Sequence, residues 1–276
     1  MDYSRFPICP AAPFNSFPPL WGVERRVNDR AEGIDTRCLA DNLFFICPVS
    51  LCCVFLHTEM EKNTHILERP DSLIFDMDGT LWDNVDNYVV AWNRALKIQG
   101  LDVQVTREEL LGLMGKEAKQ ILVRLRPDAS EEARDALFEE VTVQYHALAA
   151  TMHPKVYDGV VQGLENLAQK YKLFLLSNCE EGGLLKFMHY TDTSRLFTDY
   201  MEHGQNLKPK EFNMKLLKER NRLQTPVYIG DTDTDSRASS VAGLPFIYMT
   251  YGFGKTDRYV LAFDSFAKMT DYFMNL

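Results

Sequence analysis

The sequence predicts an α/β fold: a mostly parallel sheet with helices on its faces, interrupted after the first strand by a helical insert. Two observations carry this expectation. Short apolar runs that end at polar residues alternate with stretches of helical period, and strands separated by helices imply right-handed βαβ units. Between residues 90 and 155 that alternation stops, and helical stretches follow one another with no strand between them. The chain has 276 residues, 46% of them hydrophobic, enough to bury a substantial core.

The elements follow in order. Ser72–Phe75 (SLIF) is a short apolar run ended by aspartate and reads as a buried strand. Residues 87–100 read as a helix that stops at Gly100. Residues 106–114, 116–125 and 130–150 read as three successive helices. Thr106 and Glu109 have capping-box spacing, and Ser130 precedes an acidic first turn. Pro127 and Pro154 punctuate this block. Alternation then resumes, with helices over 159–171, 181–190 and 211–223 and a helix beginning at 236. The strands between them are KLFLLSN, a short piece of LFTDYMEHG, TPVYIGD and LPFIYMTYG. No internal repeat is evident.

The composition breaks near residue 60. The first lysine is Lys62, and half of the 12 prolines precede Met60. Residues 1–59 show no strand or helix period and are expected to lie outside the folded unit, as a disordered extension or as sequence upstream of a start at Met60. Five of the six cysteines lie there, at 9, 38, 47, 52 and 53, in no zinc-binding pattern. The apolar run Leu43–Leu56 is shorter than the ~20 residues that span a bilayer. The remainder, with Cys179 alone, reads as a protein of a reducing compartment, and the expected localisation is cytoplasmic. A formal net charge of -9 argues against nucleic acid as a partner, and no membrane association is expected.

In an open parallel sheet, ligands bind beyond the carboxyl ends of the strands. The polar residues at those ends are therefore candidates for a site. They are Asp76 and Asp78 after the first strand, Ser177 and Asn178 after the second, and Asp231, Asp233 and Asp235 after the strand VYIG. Lys208 and Lys210 stand just before a helix. Carboxylates gathered at one edge repel one another and call for a cation. Hard oxygen ligands suit Mg²⁺, and a lysine can neutralise part of the charge. Residues two apart in extended chain share a side, so Asp76 and Asp78 can face one reacting group, one attacking and one handling protons. Gly79 permits a sharp turn and close approach to a ligand, and Thr80 adds a hydroxyl.

These residues resemble the motifs of the haloacid dehalogenase-like hydrolase superfamily. Asp76-Met77-Asp78-Gly79-Thr80 is similar to its first motif, Ser177-Asn178 to its second, the lysine at 208–210 to its third and Gly230-Asp231-Thr232-Asp233-Thr234-Asp235 to its fourth. The resemblance covers about residues 70–276. It implies a Rossmann-like core over 70–89 and 156–276 and a helical C1-type cap over 90–155. It implies phosphoryl transfer through an aspartyl-phosphate, with Asp76 as nucleophile and Asp78 as general acid and then base. Ser177, Asn178, Gly79 and Thr80 would bind phosphate. Mg²⁺ would be held by Asp76, Asp78 through its backbone carbonyl, and Asp231, with Asp235 in support. Either Lys208 or Lys210 fills the lysine position. Asp233 is an extra acid, expected to face solvent.

Within the expected cap, Gly115-Lys116 could reach a substrate anion. Trp82 and Trp92 read as packing residues, Asp83 and Asn84 as polar residues near the site, and Tyr251–Asp257 as a structural loop near the same edge. An acid two residues after the nucleophile favours a phosphatase or phosphomutase over a dehalogenase. The expected activity is hydrolysis of a small phosphate ester of the phosphoglycolate or sugar phosphate type. A phosphomutase is the alternative, and a phosphoacceptor receiver a more distant one. The expected partner is a small phosphorylated metabolite, with a homodimer left open.

Overall fold

The computed structural model describes residues 69–148 and 151–276. The expectations for residues 1–59, including the five early cysteines and Leu43–Leu56, lie outside the described residues. Cys179 is a free thiol. Among the described residues, no helix is long and apolar enough to cross a membrane.

Six strands form one parallel sheet: β1 (Ser72–Phe75), β4 (Lys172–Ser177), β5 (Phe197–Glu202), β6 (Pro226–Gly230), β7 (Phe246–Met249) and β8 (Leu261–Phe263). Their order is β5-β4-β1-β6-β7-β8. This is the doubly wound Rossmann-like order, and the chain reverses direction across the sheet beside β1. The strands are apolar on both faces because helices cover both. The two-residue side-chain period sorts them. Leu73, Phe75, Leu173, Leu175, Val227, Ile229, Ile247 and Met249 face one layer. That layer holds α5 (Val160–Leu167), α6 (Gly183–Tyr190) and α9 (Phe266–Asn275). Ile74, Phe174, Leu176, Tyr228, Phe246 and Tyr248 face the other, which holds α7 (Lys210–Arg220) and α8 (Asp233–Ala242).

The insert is helical, as expected. It comprises α1 (Val85–Ile98), α2 (Arg107–Leu111), α3 (Ala118–Leu125) and α4 (Glu131–Ala147) around its own apolar cluster. The Thr106–Glu109 capping box is present, and Ser130 accepts from the Ala133 N–H at 3.2 Å at the start of α4. Its first helix starts at Val85, and Val85 already belongs to the insert's cluster. The boundary expected at residue 90 therefore moves back to the start of that helix. Two connectors, β2 (Trp82–Asp83) and β3 (Lys155–Val156), pair antiparallel where the chain leaves and re-enters the core.

Three further differences have physical reasons. The helix expected to begin at 236 begins at Asp233, because Thr232 and Asp235 form a capping box. β8 went unread because three partly exposed residues carry little pattern. The last helix, α9, was not read from the sequence, although Ser265 caps it and Phe266, Met269 and Phe273 keep helical spacing.

Gly163 lets α5 and α9 approach closely. A Cβ there would lie 2.5 Å from Thr270 Oγ1 and 2.6 Å from the Phe266 ring. Gly163→Ala is expected to lower stability by roughly 1–3 kcal/mol through overpacking, measurable as a shift in denaturant midpoint.

Candidate active site

The carboxyl ends of β4, β1 and β6 meet beside the reversal in strand order. The Asp76 N–H donates to the Ile229 carbonyl at 2.8 Å, so the ladder extends one residue past β1. By alternation Asp76 shares the face of Ile74, which α7 and α8 cover. Lys210, the first residue of α7, donates from Nζ to Asp76 Oδ1 at 2.7 Å and to Asp235 Oδ1 at 2.5 Å. All three side chains are buried. Asp235 Oδ2 accepts from the Thr232 N–H at 3.0 Å and its hydroxyl at 2.6 Å, so the α8 cap also aims Asp235 at Lys210.

The structure thus brings Lys210, and not Lys208, to the aspartates. Lys208 is exposed, and its carbonyl accepts from Asn213 Nδ2 at 3.3 Å and lies 3.0 Å from His203 Nδ1. Pro209 separates the two lysines, so the one that begins the helix points inward and the one before it lies outside.

Asp231 is fully buried beside this cluster. Its Oδ1 accepts from Thr80 Oγ1 at 3.2 Å and its Oδ2 from the Phe253 N–H at 2.6 Å. Two glycines make room for it. A Cβ on Gly79 would lie 2.1 Å from Asp231 Oδ2, and one on Gly252 2.3 Å from Asp231 Cβ. Gly79 also has φ +87, a backbone conformation suited to glycine. Gly79 and Thr80, expected at the phosphate, have other partners in this structure. The Gly79 N–H donates to the Trp82 carbonyl at 2.8 Å, and the Thr80 hydroxyl is taken by Asp231. Both residues seat Asp231. The loop Tyr251–Asp257 does so too, through Gly252 and Phe253, and the Tyr251 hydroxyl donates to the Thr80 carbonyl at 2.6 Å.

Asp78 is held apart from the cluster. Its carboxylate accepts from Trp82 Nε1 at 2.9 Å and from the Tyr88 hydroxyl at 3.1 Å. Its side chain is therefore not a metal ligand in this arrangement, which leaves any such contact to its backbone carbonyl. Trp82 packs as expected, with its ring centroid 5.3 Å from that of Phe187, but its indole N–H also grips Asp78. Tyr88, from the insert, was not singled out in the sequence, since a tyrosine on an amphipathic helix carries no mark of a carboxylate partner. Asn84 lies behind it and donates to the Tyr145 hydroxyl at 2.7 Å. Asp83 pairs with Arg107. Asp233 is partly exposed and pairs with Arg237 and Arg258, with no part in the cluster.

Burial raises Asp78 to about 7, helped by the charge of Asp76 and opposed by the hydrogen bonds from Tyr88 and Trp82. Burial raises Asp76 to about 6 against the pull of Lys210, with Asp235 adding to the rise. Asp231 is pushed well above the carboxylate range by burial and by Asp235 and Asp76. Burial disfavours the Lys210 ammonium, but Asp235 and Asp76 outweigh it and hold its pKa high. One carboxylate oxygen from each of Asp76, Asp231 and Asp235 lies within 4.8 Å of the others. One lysine against three buried carboxylates leaves an excess of negative charge. Hard oxygen donors with that excess fit a divalent cation such as Mg²⁺.

A cavity of about 150 Å³ opens above Asp76 and Asp78, and Ser177 and Asn178 line it. Asn178 Nδ2 donates to the Gly115 carbonyl of the insert at 2.9 Å, and its Oδ1 is buried without a partner. Gly115 packs against Thr232, where a Cβ would lie 3.1 Å from Oγ1. The insert is thus seated on the core over the cavity. Lys116 follows at the rim, exposed. Trp92 is buried in the insert and lines the inner wall with Phe138.

The fold and this site define a doubly wound α/β protein with an acidic, lysine-paired cluster at its sheet edge beneath a helical insert. The model of the family described as haloacid dehalogenase-like hydrolase matches residues 73–249, and the chain belongs to that family. It is 27% identical over 197 residues to a phosphoglycolate phosphatase of Rhodobacter capsulatus, covering 67% of this chain and 86% of that one. It is 26% identical over 216 residues to a phosphoglycolate phosphatase of Agrobacterium fabrum, covering 71% and 89%. Among solved structures it shares the fold of a phosphate complex of CbbY from Rhodobacter sphaeroides, with TM-score 0.65 and 18% identity over 75% of this chain and 100% of that one. It likewise shares the fold of a predicted phosphatase from Clostridium acetobutylicum, with TM-score 0.66 and 20% identity over 75% and 99%.

The raised carboxylates set a pH dependence of stability. An acid whose folded pKa exceeds its unfolded value stabilises the fold when protonated, and that contribution is lost as pH rises through the folded pKa. In chelator, the melting temperature is expected to fall between about pH 5 and about pH 8. Asp78→Asn should flatten part of that fall, and Mg²⁺ should raise the melting temperature at the alkaline end by binding the folded state. Scanning calorimetry across this range reads all three.

Proposed function

We propose that this chain, a phosphatase of the haloacid dehalogenase-like family, hydrolyses small phosphate monoesters through an aspartyl-phosphate on Asp76, with Mg²⁺ as cofactor. The observation that carries the reading is the division of labour between two aspartates in one pocket. Asp76 is tied by one oxygen to Lys210 and Tyr228, which leaves its other oxygen without a side-chain partner among the described residues. Asp78 has its pKa near neutrality and faces the same cavity. Asp76 is paired with a buried lysine and Asp78 with two neutral donors, and such different surroundings suit one carboxylate to attack and the other to carry a proton.

In this reading the free oxygen of Asp76 attacks phosphorus and the ester P–O bond breaks. Asp78 gives its proton to the departing oxygen. Asp78 then takes a proton from water, the water oxygen attacks phosphorus, and the bond to Asp76 breaks to release phosphate. Lys210 holds Asp76 in place and offsets its charge, Ser177 and Asn178 bind the phosphoryl oxygens, and the seated insert excludes water. Asp76 and Asp231 would hold Mg²⁺ together with the Asp78 carbonyl, and Asp235 would orient Lys210. The cation supplies neutralisation of the phosphoryl charge. The relatives' name supports phosphoglycolate as a first substrate to assay.

Asp76→Asn is expected to abolish Mg²⁺-dependent phosphate release. Asp78→Asn should lower kcat by roughly 10²–10⁴-fold, the usual worth of a positioned acid. The reading is lost if either variant releases phosphate at the native rate. Tyr88 donates to the charged form of Asp78, so Tyr88→Phe removes a stabiliser of that form and raises the pKa of Asp78. The alkaline limb of the pH–rate profile, where the acid loses its proton, should therefore move to higher pH.

A further inference from the structure

Lys186 lies on α6, where its side chain is half-buried and lines the cavity that Asp76 and Asp78 share. No carboxylate of the described residues pairs with it. Its ammonium instead sits 4.0 Å from the centroid of the Tyr145 ring of the insert. The nearby Glu202 is committed elsewhere, accepting from the Gly182 N–H at 2.7 Å and the Leu184 N–H at 3.0 Å. Burial lowers the Lys186 pKa and the charge of Glu202 partly offsets that, yet among the described residues no acceptor holds the ammonium, which leaves its donors for an anion in the cavity. Lys210 shows the contrast, since it is buried with two carboxylates already in place.

The position also has a direction. The Tyr145 ring lies 5.2 Å from that of Tyr88, whose hydroxyl holds Asp78. Lys186, Tyr145 and Tyr88 thus follow one another along the cavity toward Asp78. The wall that the insert contributes there is largely apolar, built by Ala91, Trp92, Leu110 and Phe138. It offers little to a polar tail. His146, Glu180 and Glu181 line the cavity as well.

We propose that Lys186 is a specificity residue that reads a second anionic group, carboxylate or phosphate, on the alcohol part of the substrate. The proposal rests on the phosphatase reading above. The enzyme then selects esters with a charged tail over esters of the same size with a neutral one. The competing role is mechanical. Lys186 on the core touches Tyr145 on the insert, and a latch of that kind would affect every ester alike.

The test compares 2-phosphoglycolate with 2-hydroxyethyl phosphate, which differ in the charge of the tail, and a small bisphosphate with its monophosphate. The native protein is expected to favour the charged member of each pair by roughly tenfold or more in kcat/KM, the worth of one charge-assisted hydrogen bond. Preference in the first pair alone identifies a carboxylate reader, and in the second alone a phosphate reader. Lys186→Met, which keeps the apolar stem, should erase the preference while changing the neutral esters less than about twofold, and Lys186→Arg should keep it. Equal losses on both members, or no preference in the native protein, overturn the proposal. The same pairs are measured by calorimetric binding to Asp76→Asn, which needs no turnover. Charge-selective binding that Lys186→Met abolishes, without phosphate release by the native protein, would uphold the Lys186 assignment and sink the hydrolytic reading. Turnover without selectivity does the reverse.

Discussion

The buried contact of Lys210 with Asp76 and Asp235 is the interaction on which the rest of the site depends. It joins the end of β1, the start of α7 and the first turn of α8. Burying ions costs several kcal/mol each unless partners and hydrogen bonds are well placed. Here each carboxylate gives Lys210 one oxygen, and Thr232 holds the second oxygen of Asp235. An ammonium at a helix N-terminus also opposes the helix dipole. The two carboxylates outweigh that cost, and the lysine keeps its charge. The excess negative charge that remains after this pairing is what makes the cluster suited to a divalent cation.

The second feature of the site is that its two principal aspartates belong to different parts of the molecule. Asp76 is held wholly by the core. Asp78 is held by Trp82, on the connector into the insert, and by Tyr88, within the insert. The Asp78 carboxylate therefore keeps both of these partners only while the insert is seated. Asn178 reaching to the Gly115 carbonyl fastens the same closure from the other side. Access to the cavity, exclusion of water and the protonation of Asp78 are thus coupled through one interface.

Much of this was legible in the sequence. The strands at Ser72, Lys172, Pro226 and Phe246 announce themselves as apolar runs because both sheet faces are covered. The aspartates that end two of them are visible for the same reason. What escaped had little local signal. The β2–β3 pair joins two residues to two residues far away along the chain. The tasks of Trp82 and Tyr88 toward Asp78 require the insert to fold back over β1. Lys186 looks like an ordinary surface residue of an amphipathic helix until Tyr145 is seen above it.

The sequence by itself determined the sheet, the place of the insert and the gathering of Asp76, Asp78, Asp231 and Asp235 at one edge, because alternation and strand ends are local properties of the chain. Only the tertiary structure decided between Lys208 and Lys210, seated Asp231 against Gly79 and Thr80, and set Lys186 facing the cavity. Those outcomes depend on which side chain points inward once helices pack. A shift of one or two residues, invisible in composition or spacing, separates a buried ion from a solvated one.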